Sequence, residues 1–284
     1  MNALVLTSLQ AANADPSIRA IADYLAEKLR LPVTFADAPR WQDREILFDR
    51  GEAQLAWLCG LVYVEKRDAG APVDLLAAPV MDGPHYAARP VYFSDVVVRA
   101  DSPIHTFADL SGRRWAYNNI GSHSGYNITR YHLATLGEDG NFFGRVVEAG
   151  AHQRSLAMIL SGEIDAAAID STVLETELLR HPEIVGQIRR IERLGPSPIP
   201  PWVVRGEVPP TLADDIRHCF VEMHTEPAGA ALLAQAQMRC FAPVGDDDYD
   251  PIRRMAGLAK RVVLGKGNGP TGASANQHSP FHAI

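Results

Sequence analysis

Hydrophobic and polar positions alternate with two different periods along this chain. Residues 3–9 form a short, mainly apolar run of strand length. Apolar residues between Ile18 and Leu29 then recur at helical spacing, with charged residues between them. The same succession of apolar runs and amphipathic segments continues to about residue 180. Strands that alternate with helices predict mainly parallel sheets flanked by helices, so the predicted fold class is α/β.

Two extended segments interrupt this alternation and predict a molecule of two lobes. Residues 92–99 form a β-branched run long enough to cross between lobes, and residues 195–204 are rich in proline, which disfavours regular pairing. Two crossings imply that the middle of the chain is inserted into a lobe built from both ends. We therefore assign residues 1–97 and 203–264 to a discontinuous first lobe, residues 98–202 to an inserted second lobe, and residues 265–284 to a flexible tail.

Composition restricts the partners that the chain can have. The sequence has 284 residues, of which 46% are hydrophobic, and a formal net charge of −7. The acidic balance argues against nucleic acid as a partner, but it allows a small anion in a local pocket. The cysteines are far apart, and neither Cys-x-x-Cys nor a helical His-x-x-x-His pair occurs. We therefore predict no metal and no cofactor.

Targeting signals leave two locations open. The first residues lack the basic segment of a signal peptide, and no apolar run reaches the length of a transmembrane helix. We expect a cytoplasmic protein if the sequence as given is complete, and an exported one if a leader has been removed.

The most informative segment is the loop that follows the predicted strand at residues 114–117. It continues into Ser122-His123-Ser124-Gly125, which opens a helix predicted to reach about Leu136. A helix N-terminus carries unpaired N–H groups and a partial positive charge, and small residues leave those groups accessible. The segment therefore predicts an anion site. Simple helix capping by a serine explains the same residues.

Other candidate ligand contacts also follow predicted strands. Trp57, His152 and Asp170 come at or just after strand ends, and Tyr92 begins the first crossing segment. Ligands of open α/β sheets bind beyond the carboxyl ends of strands, so we expect these residues to meet Ser122–Ser124 in one cleft. Core packing explains the aromatic residues, and helix capping explains Asp170, without any ligand.

Six short motifs occur in order along the chain: Tyr92-x-Ser94, Asp101–Ile104, Phe107–Arg113, Ser122–Tyr126, Gly150–His152 and Gly162–Ala168. With these motifs, residues 3–260 resemble the solute-binding proteins of phosphonate, phosphite and phosphate ABC transporters. The resemblance implies a type II periplasmic-binding-protein architecture of two α/β lobes that close on an anion by a hinge. It also implies a noncatalytic monomer in the periplasm that works with an ABC permease.

The resemblance also implies roles for single residues. Ser122, His123 and Ser124 match the helix start that holds the phosphonyl oxygens, while His152 and Tyr92 match further ligand contacts. The family often has a small hydroxyl residue where His123 stands.

Asp170 extends the prediction to the charge of the ligand. A carboxylate at the strand end would repel a simple dianion, whereas Trp57 could face an ammonium group. The hypothesis is therefore a small-molecule anion or zwitterion, with aminophosphonates as leading candidates and with the anionic end at Ser122–Ser124.

Two other functions fit parts of the sequence. A serine hydrolase could use Ser124, His152 and Asp170, although the glycines miss the Gly-x-Ser-x-Gly spacing by one position and the chain order differs from that of α/β-hydrolases. A cytoplasmic sensor or a biosynthetic enzyme could use the same two-lobed fold.

Overall fold

Strands and helices alternate along the chain as the hydrophobic pattern predicts. The computed structural model describes residues 2–38 and 40–265. The strands are β1 (Leu4–Ser8), β2 (Val33–Phe35), β3 (Leu55–Trp57), β4 (Val73–Met81), β5 (Val91–Arg99), β6 (Arg114–Tyr117), β7 (Arg145–Glu148), β8 (Ala166–Asp170), β9 (Ile188–Pro198), β10 (Trp202–Arg205) and β11 (Met238–Ala242). The α-helices are α1 (Asp15–Leu29), α2 (Trp41–Asp49), α3 (Gly60–Asp68), α4 (Ile128–Leu136), α5 (His152–Ser161), α6 (Ser171–Arg180), α7 (Pro210–Glu222), α8 (Pro227–Gln235) and α9 (Asp250–Ala259).

The strands of the described residues form two sheets, each flanked by helices, so the α/β class is confirmed. The first sheet has the order β11-β4-β10-β3-β1-β2, and the second has the order β7-β6-β8-β5-β9. The amphipathic helix α1 buries Ile18, Ile21 and Leu25 against the first sheet. Burial of such a side chain stabilises the fold by about 1.5–3 kcal/mol.

Strand direction differs from the prediction of mainly parallel sheets. The pairs β1–β2, β1–β3, β6–β7 and β6–β8 are parallel, but β10 runs antiparallel to β3 and β4, and β11 runs antiparallel to β4. In the second sheet β5 runs antiparallel to both β8 and β9. The strands β5, β9 and β10, which contain the two extended segments that interrupt the strand–helix alternation, form most of these antiparallel pairs. Parallel neighbours need a long crossover connection, usually through a helix.

The predicted lobe limit at residue 97 falls inside β5. This strand pairs from Val91 to Arg99 with β9 of the second sheet, so its hydrogen bonds favour a limit before Val91. Near the C-terminus, Val262 and Leu264 are buried in the core of the second sheet. The Gly265 N–H donates to the Gly140 carbonyl at 3.1 Å, although the predicted tail begins at Gly265. The rest of that tail lies outside the described residues.

No helix within the described ranges combines the length and the apolar character needed to cross a membrane.

Candidate functional site

A cavity of about 180 Å³ lies where strand ends of the two sheets meet; we call it the Ser124 cavity. Carboxyl ends of parallel strands share one edge of a sheet, so the residues that follow them converge. The cavity is lined by Leu9 after β1, Cys59 after β3, Asn118 after β6, Gly150 after β7 and Asp170 at the end of β8.

Two helices point open N-termini at this cavity. The N-cap residues of α3 and α5 are Cys59 and Ala151, and neither side chain accepts a hydrogen bond from its helix. Both residues line the Ser124 cavity. Since the first N–H groups of a helix have no partner within it, these two ends offer donors and a partial positive charge. Such ends bind anions without requiring a lysine or arginine.

The loop at Ser122–Gly125 opens a helix, but its first turn is a π-turn. Residues His123–Asn127 form this wider turn, in which the Asn127 N–H donates to the Ser122 carbonyl at 3.0 Å. The predicted α-helix therefore begins only at Ile128. The Ser122 Oγ accepts from the Gly125 N–H at 3.1 Å, so Ser122 is the cap. A Cβ at Gly125 would lie 2.1 Å from Asn118 Oδ1, so this close approach requires glycine.

Ser124 and His152 form a buried pair inside the cavity. Ser124 Oγ lies 2.9 Å from His152 Nε2, and Asn118 Nδ2 lies 3.3 Å from the same nitrogen. Ser124 and His152 are each 5% exposed. The Asn118 amide nitrogen can only donate, so these contacts favour an unprotonated Nε2 that accepts, with the ring proton on Nδ1. The Ser124 hydroxyl, which also lies 3.4 Å from Ser122 Oγ, can then donate to Nε2 or to a ligand oxygen.

Two buried polar atoms at or beside the Ser124–His152 pair have no hydrogen-bond partner among the described residues. They are His152 Nδ1 and Asn118 Oδ1. Buried polar atoms are normally hydrogen-bonded. His152 Nδ1 can donate to a ligand oxygen when it carries the ring proton, whereas Asn118 Oδ1 can only accept, from a water or from a protonated ligand group. Burial lowers the pKa of His152 to about 4, which keeps the ring neutral at physiological pH.

Tyr92 and Asp170 complete one wall of the cavity. Burial, with the Asp170 carboxylate nearby, raises the pKa of the Tyr92 hydroxyl well above its usual value, so the hydroxyl keeps its proton and can donate. Asp170 also caps α6: its Oδ1 accepts from the Thr172 N–H at 2.9 Å and from the Thr172 hydroxyl at 2.7 Å. Burial raises the pKa of Asp170 to about 6. Asp170 therefore both caps α6 and lines the Ser124 cavity.

Comparison with known proteins decides the family. The profile of the family described as "ABC transporter, phosphonate, periplasmic substrate-binding protein" matches residues 4–249. The chain belongs to this family. A curated relative, the phosphonates-binding periplasmic protein of Escherichia coli (strain K12), is 25% identical over 210 residues, which cover 72% of this chain and 60% of that protein. The match therefore spans less than two thirds of the relative's length.

Solved structures show the same fold. PhnD1 from Prochlorococcus marinus (MIT 9301), in complex with methylphosphonate, has a TM-score of 0.81 at 16% identity and covers 92% of this chain and 99% of its own. A binding protein component of an ABC phosphonate transporter from Pseudomonas aeruginosa has a TM-score of 0.80 at 19% identity, covering 91% and 86%. The two-lobed architecture predicted for the family is confirmed.

Two residues predicted for the site of this phosphonate-family protein lie outside the Ser124 cavity. His123 is fully buried, with Nε2 3.0 Å from Ser197 Oγ and Nδ1 3.1 Å from Asn127 Nδ2, so it binds the π-turn to β9. Trp57 stacks on Trp202 with ring centroids 5.5 Å apart and lines a separate cavity. Neither side chain is among those that line the Ser124 cavity.

Sequence reasoning missed Trp41 and Arg44, which line the same cavity of this family member. Arg44 is almost buried, and its guanidinium binds Asp15 at 2.7 Å and Asp37 at 2.6 Å. These carboxylates neutralise the cation, so the donors available to an anion are N–H and O–H groups. The helix α2 follows β2, so a position near a strand end was the available signal. Nothing in the local sequence indicates that Trp41, the first residue of α2, contacts the loop after β6 of the second sheet.

Proposed function

We propose that this protein is a noncatalytic receptor that captures a small phosphonate-like oxyanion in the Ser124 cavity for an ABC importer in the periplasm. The observation that carries the proposal is the buried Ser124–His152 pair beside the open N-termini of α3 and α5. The family and the named phosphonate relatives support the same chemistry.

Neutral donors suit this cargo because a receptor must release it. Each hydrogen bond to a charged oxygen contributes about 1.5–3 kcal/mol, so a few N–H and O–H donors hold an oxyanion without a permanent ion pair. The Arg44 guanidinium is already paired with Asp15 and Asp37. A neutral His152 adds a donor or an acceptor without adding charge.

Closure of two lobes over the ligand is part of the proposal. Asn13, which precedes α1, donates from Nδ2 to Glu177 Oε1 at 2.9 Å and to the Val173 carbonyl at 3.3 Å on α6. The Arg180 guanidinium of α6 donates a hydrogen bond to the Asn13 carbonyl at 2.9 Å. These bonds link elements of the two sheets. We assign the hinge to residues 82–90 and 199–201, which connect strands of different sheets. The predicted crossing at residues 92–99 and the last part of the one at residues 195–204 lie instead in paired strands.

Binding without catalysis fits the geometry of the serine better than hydrolysis does. The contact between Ser124 and His152 has nucleophile-to-base length, but no described residue accepts a hydrogen bond from His152 Nδ1. Asp170, the third member of the alternative triad, is bound to Thr172 instead. A histidine whose pKa is lowered by burial is also a weak base for activating a hydroxyl.

Titration calorimetry with methylphosphonate, inorganic phosphate and sulfate tests the proposal, together with labelling by a serine-directed fluorophosphonate. We expect saturable binding of methylphosphonate by a monomer and no labelling of Ser124. Absence of binding by all oxyanions would overturn the receptor function. Labelling of Ser124 with turnover of chromogenic esters would establish the hydrolase instead.

A further inference from the structure

A second cavity, of about 160 Å³, lies beside the Ser124 cavity; we call it the Trp57 cavity. Gln10, Ala11, Val173 and Pro200 line both cavities. The two cavities are therefore adjacent and are divided by these residues.

The inner wall of the Trp57 cavity is apolar. Trp57, Met81, Ile199 and Met238 line it, and each is between 2% and 6% exposed. The indole N–H of Trp57 is already used, because it donates to the Pro200 carbonyl at 2.9 Å. The wall thus offers apolar area and an aromatic ring to an occupant, rather than a free hydrogen-bond donor.

Three of the polar side chains that line the rest of the Trp57 cavity are paired with other protein groups. Gln10 Nε2 donates to the Trp57 carbonyl at 3.2 Å, and Asn13 Nδ2 donates to Glu177 Oε1 at 2.9 Å. Thr176 Oγ1 donates to the Thr172 carbonyl at 2.8 Å. These groups gain little from a polar occupant, because their hydrogen bonds are already formed.

The two cavities therefore differ in the buried polar atoms that they leave without a partner. The Ser124 cavity contains two, His152 Nδ1 and Asn118 Oδ1, whereas none is found among the described residues that line the Trp57 cavity. No Asp or Glu is among the described residues that line the Trp57 cavity, so an ammonium group has no carboxylate there. Arg180 is exposed and also lines this cavity, where its guanidinium donates a hydrogen bond to the Asn13 carbonyl.

We infer that the Trp57 cavity is the subsite for an uncharged apolar substituent of the ligand, the size of a benzene ring. The inference rests on the proposed function, since it places the anionic end of the same ligand at Ser124. A ring that packs on the apolar wall of this cavity is stabilised by roughly 25 cal/mol for each Å² of apolar surface that it buries. The preferred ligands are therefore phosphonates with an aryl or a longer alkyl group, rather than phosphate or methylphosphonate.

Titration calorimetry with methylphosphonate and benzylphosphonate tests the inference on the wild type and on Ser17→Phe. Ser17 is half-buried and lines the Trp57 cavity but not the Ser124 cavity. We expect the wild type to bind benzylphosphonate about tenfold more tightly than methylphosphonate, because the ring buries apolar surface. Ser17→Phe fills the cavity and should remove that preference while leaving methylphosphonate affinity within about twofold.

Ser17→Ala is the matched control and should keep the preference for benzylphosphonate. Ala236 directly follows α8 and also lines this cavity. Ala236→Phe therefore fills the same space and replaces Ser17→Phe if that variant does not fold. Equal or weaker binding of benzylphosphonate by a wild type that binds methylphosphonate overturns this inference and leaves the proposed function standing. A preference that survives both filling variants also overturns it. Binding of neither compound overturns the inference and the proposed function together.

Discussion

The indole of Trp41 lies against Gly121, with Cη2 3.0 Å from the point where a Cβ of that glycine would be. Trp41 begins α2 beside the first sheet, whereas Gly121 belongs to the loop after β6 of the second sheet. Both residues line the Ser124 cavity. The contact therefore covers the cavity from the opposite lobe, and a Cβ at position 121 would crowd the indole.

Removal of this cover should speed release of the ligand. We expect Trp41→Ala to raise the dissociation rate of methylphosphonate about tenfold, because water then reaches the ligand's hydrogen bonds. Stopped-flow displacement measures this rate. Trp41→Phe keeps an aromatic cover and should stay close to the wild type. Equal rates for all three proteins would mean that Trp41 does not cover the bound ligand.

Ser124 should account for a large share of the affinity. The hydroxyl lies 2.9 Å from His152 Nε2 in the buried cavity, so Ser124→Ala removes a donor to the ligand. Loss of such a bond corresponds to about a tenfold weaker affinity or more. Titration calorimetry measures it, with Ser161→Ala on the exposed end of α5 as a control that should bind normally. Unchanged affinity in Ser124→Ala would mean that the ligand does not contact this hydroxyl.

Asp170 should favour a ligand with an amine close to its phosphonate. Asp170 lines the Ser124 cavity and Trp57 does not, so the carboxylate alone remains as partner for an ammonium group. We expect 2-aminoethylphosphonate to bind several-fold more tightly than ethylphosphonate, about fivefold, and Asp170→Asn to abolish the difference.

The preference for the amine should also depend on pH. Burial raises the pKa of Asp170 to about 6, so the carboxylate is ionised above that pH and protonated below it. Calorimetry in both pH ranges should therefore show the difference between the two compounds shrinking as the pH falls below about 6. Equal binding of both compounds by the wild type above this pH would leave Asp170 as a helix cap only.

Ligand binding should make the molecule more compact. Ligands that contact both lobes stabilise the closed state through those contacts. We expect a smaller radius of gyration in small-angle scattering with saturating methylphosphonate than without it. Asn13→Ala removes the donor to Glu177 and Val173 and should weaken binding without changing the compaction at saturation. Identical scattering curves with and without ligand would contradict closure.

Acid should destabilise the protein through His123. Burial lowers the pKa of His123 from 6.5 to about 4. The folded and unfolded states are both neutral at this residue above pH 6.5, so the full stability is present there. As the pH falls toward 4, the unfolded chain takes up a proton that the folded state does not, which costs about 2–3 kcal/mol by pH 4.5.

His123→Gln isolates this effect. Denaturant unfolding of the wild type and the variant should show the free energy of unfolding of the wild type falling more steeply between about pH 6.5 and 4.5. His152 contributes in the same direction and Asp170 in the opposite one, but both are present in each protein and cancel in the difference. His105→Gln, at an exposed position, should follow the wild type. Parallel pH profiles for the wild type and His123→Gln would contradict the prediction.

The sequence alone located five of the residues that line the cavity. Ser122, Ser124, His152 and Asp170 lie at or after the carboxyl ends of strands that share an edge, and Tyr92 lies near the start of the strand that pairs with β8 and β9. This much is predictable because periodicity marks strands and helices locally, and parallel pairing brings their ends together. The lobe limits and the ligand contacts themselves stay predictions.

Tertiary structure decided which way those side chains face. The π-turn rotates His123 toward Ser197, and no local pattern distinguishes that turn from an α-turn. Stacking on Trp202 takes Trp57 out of the Ser124 cavity, while Trp41 enters it from the other lobe. These arrangements depend on contacts between residues far apart in the chain. Sequence periodicity fixes the face of an element, but only packing fixes what that face meets.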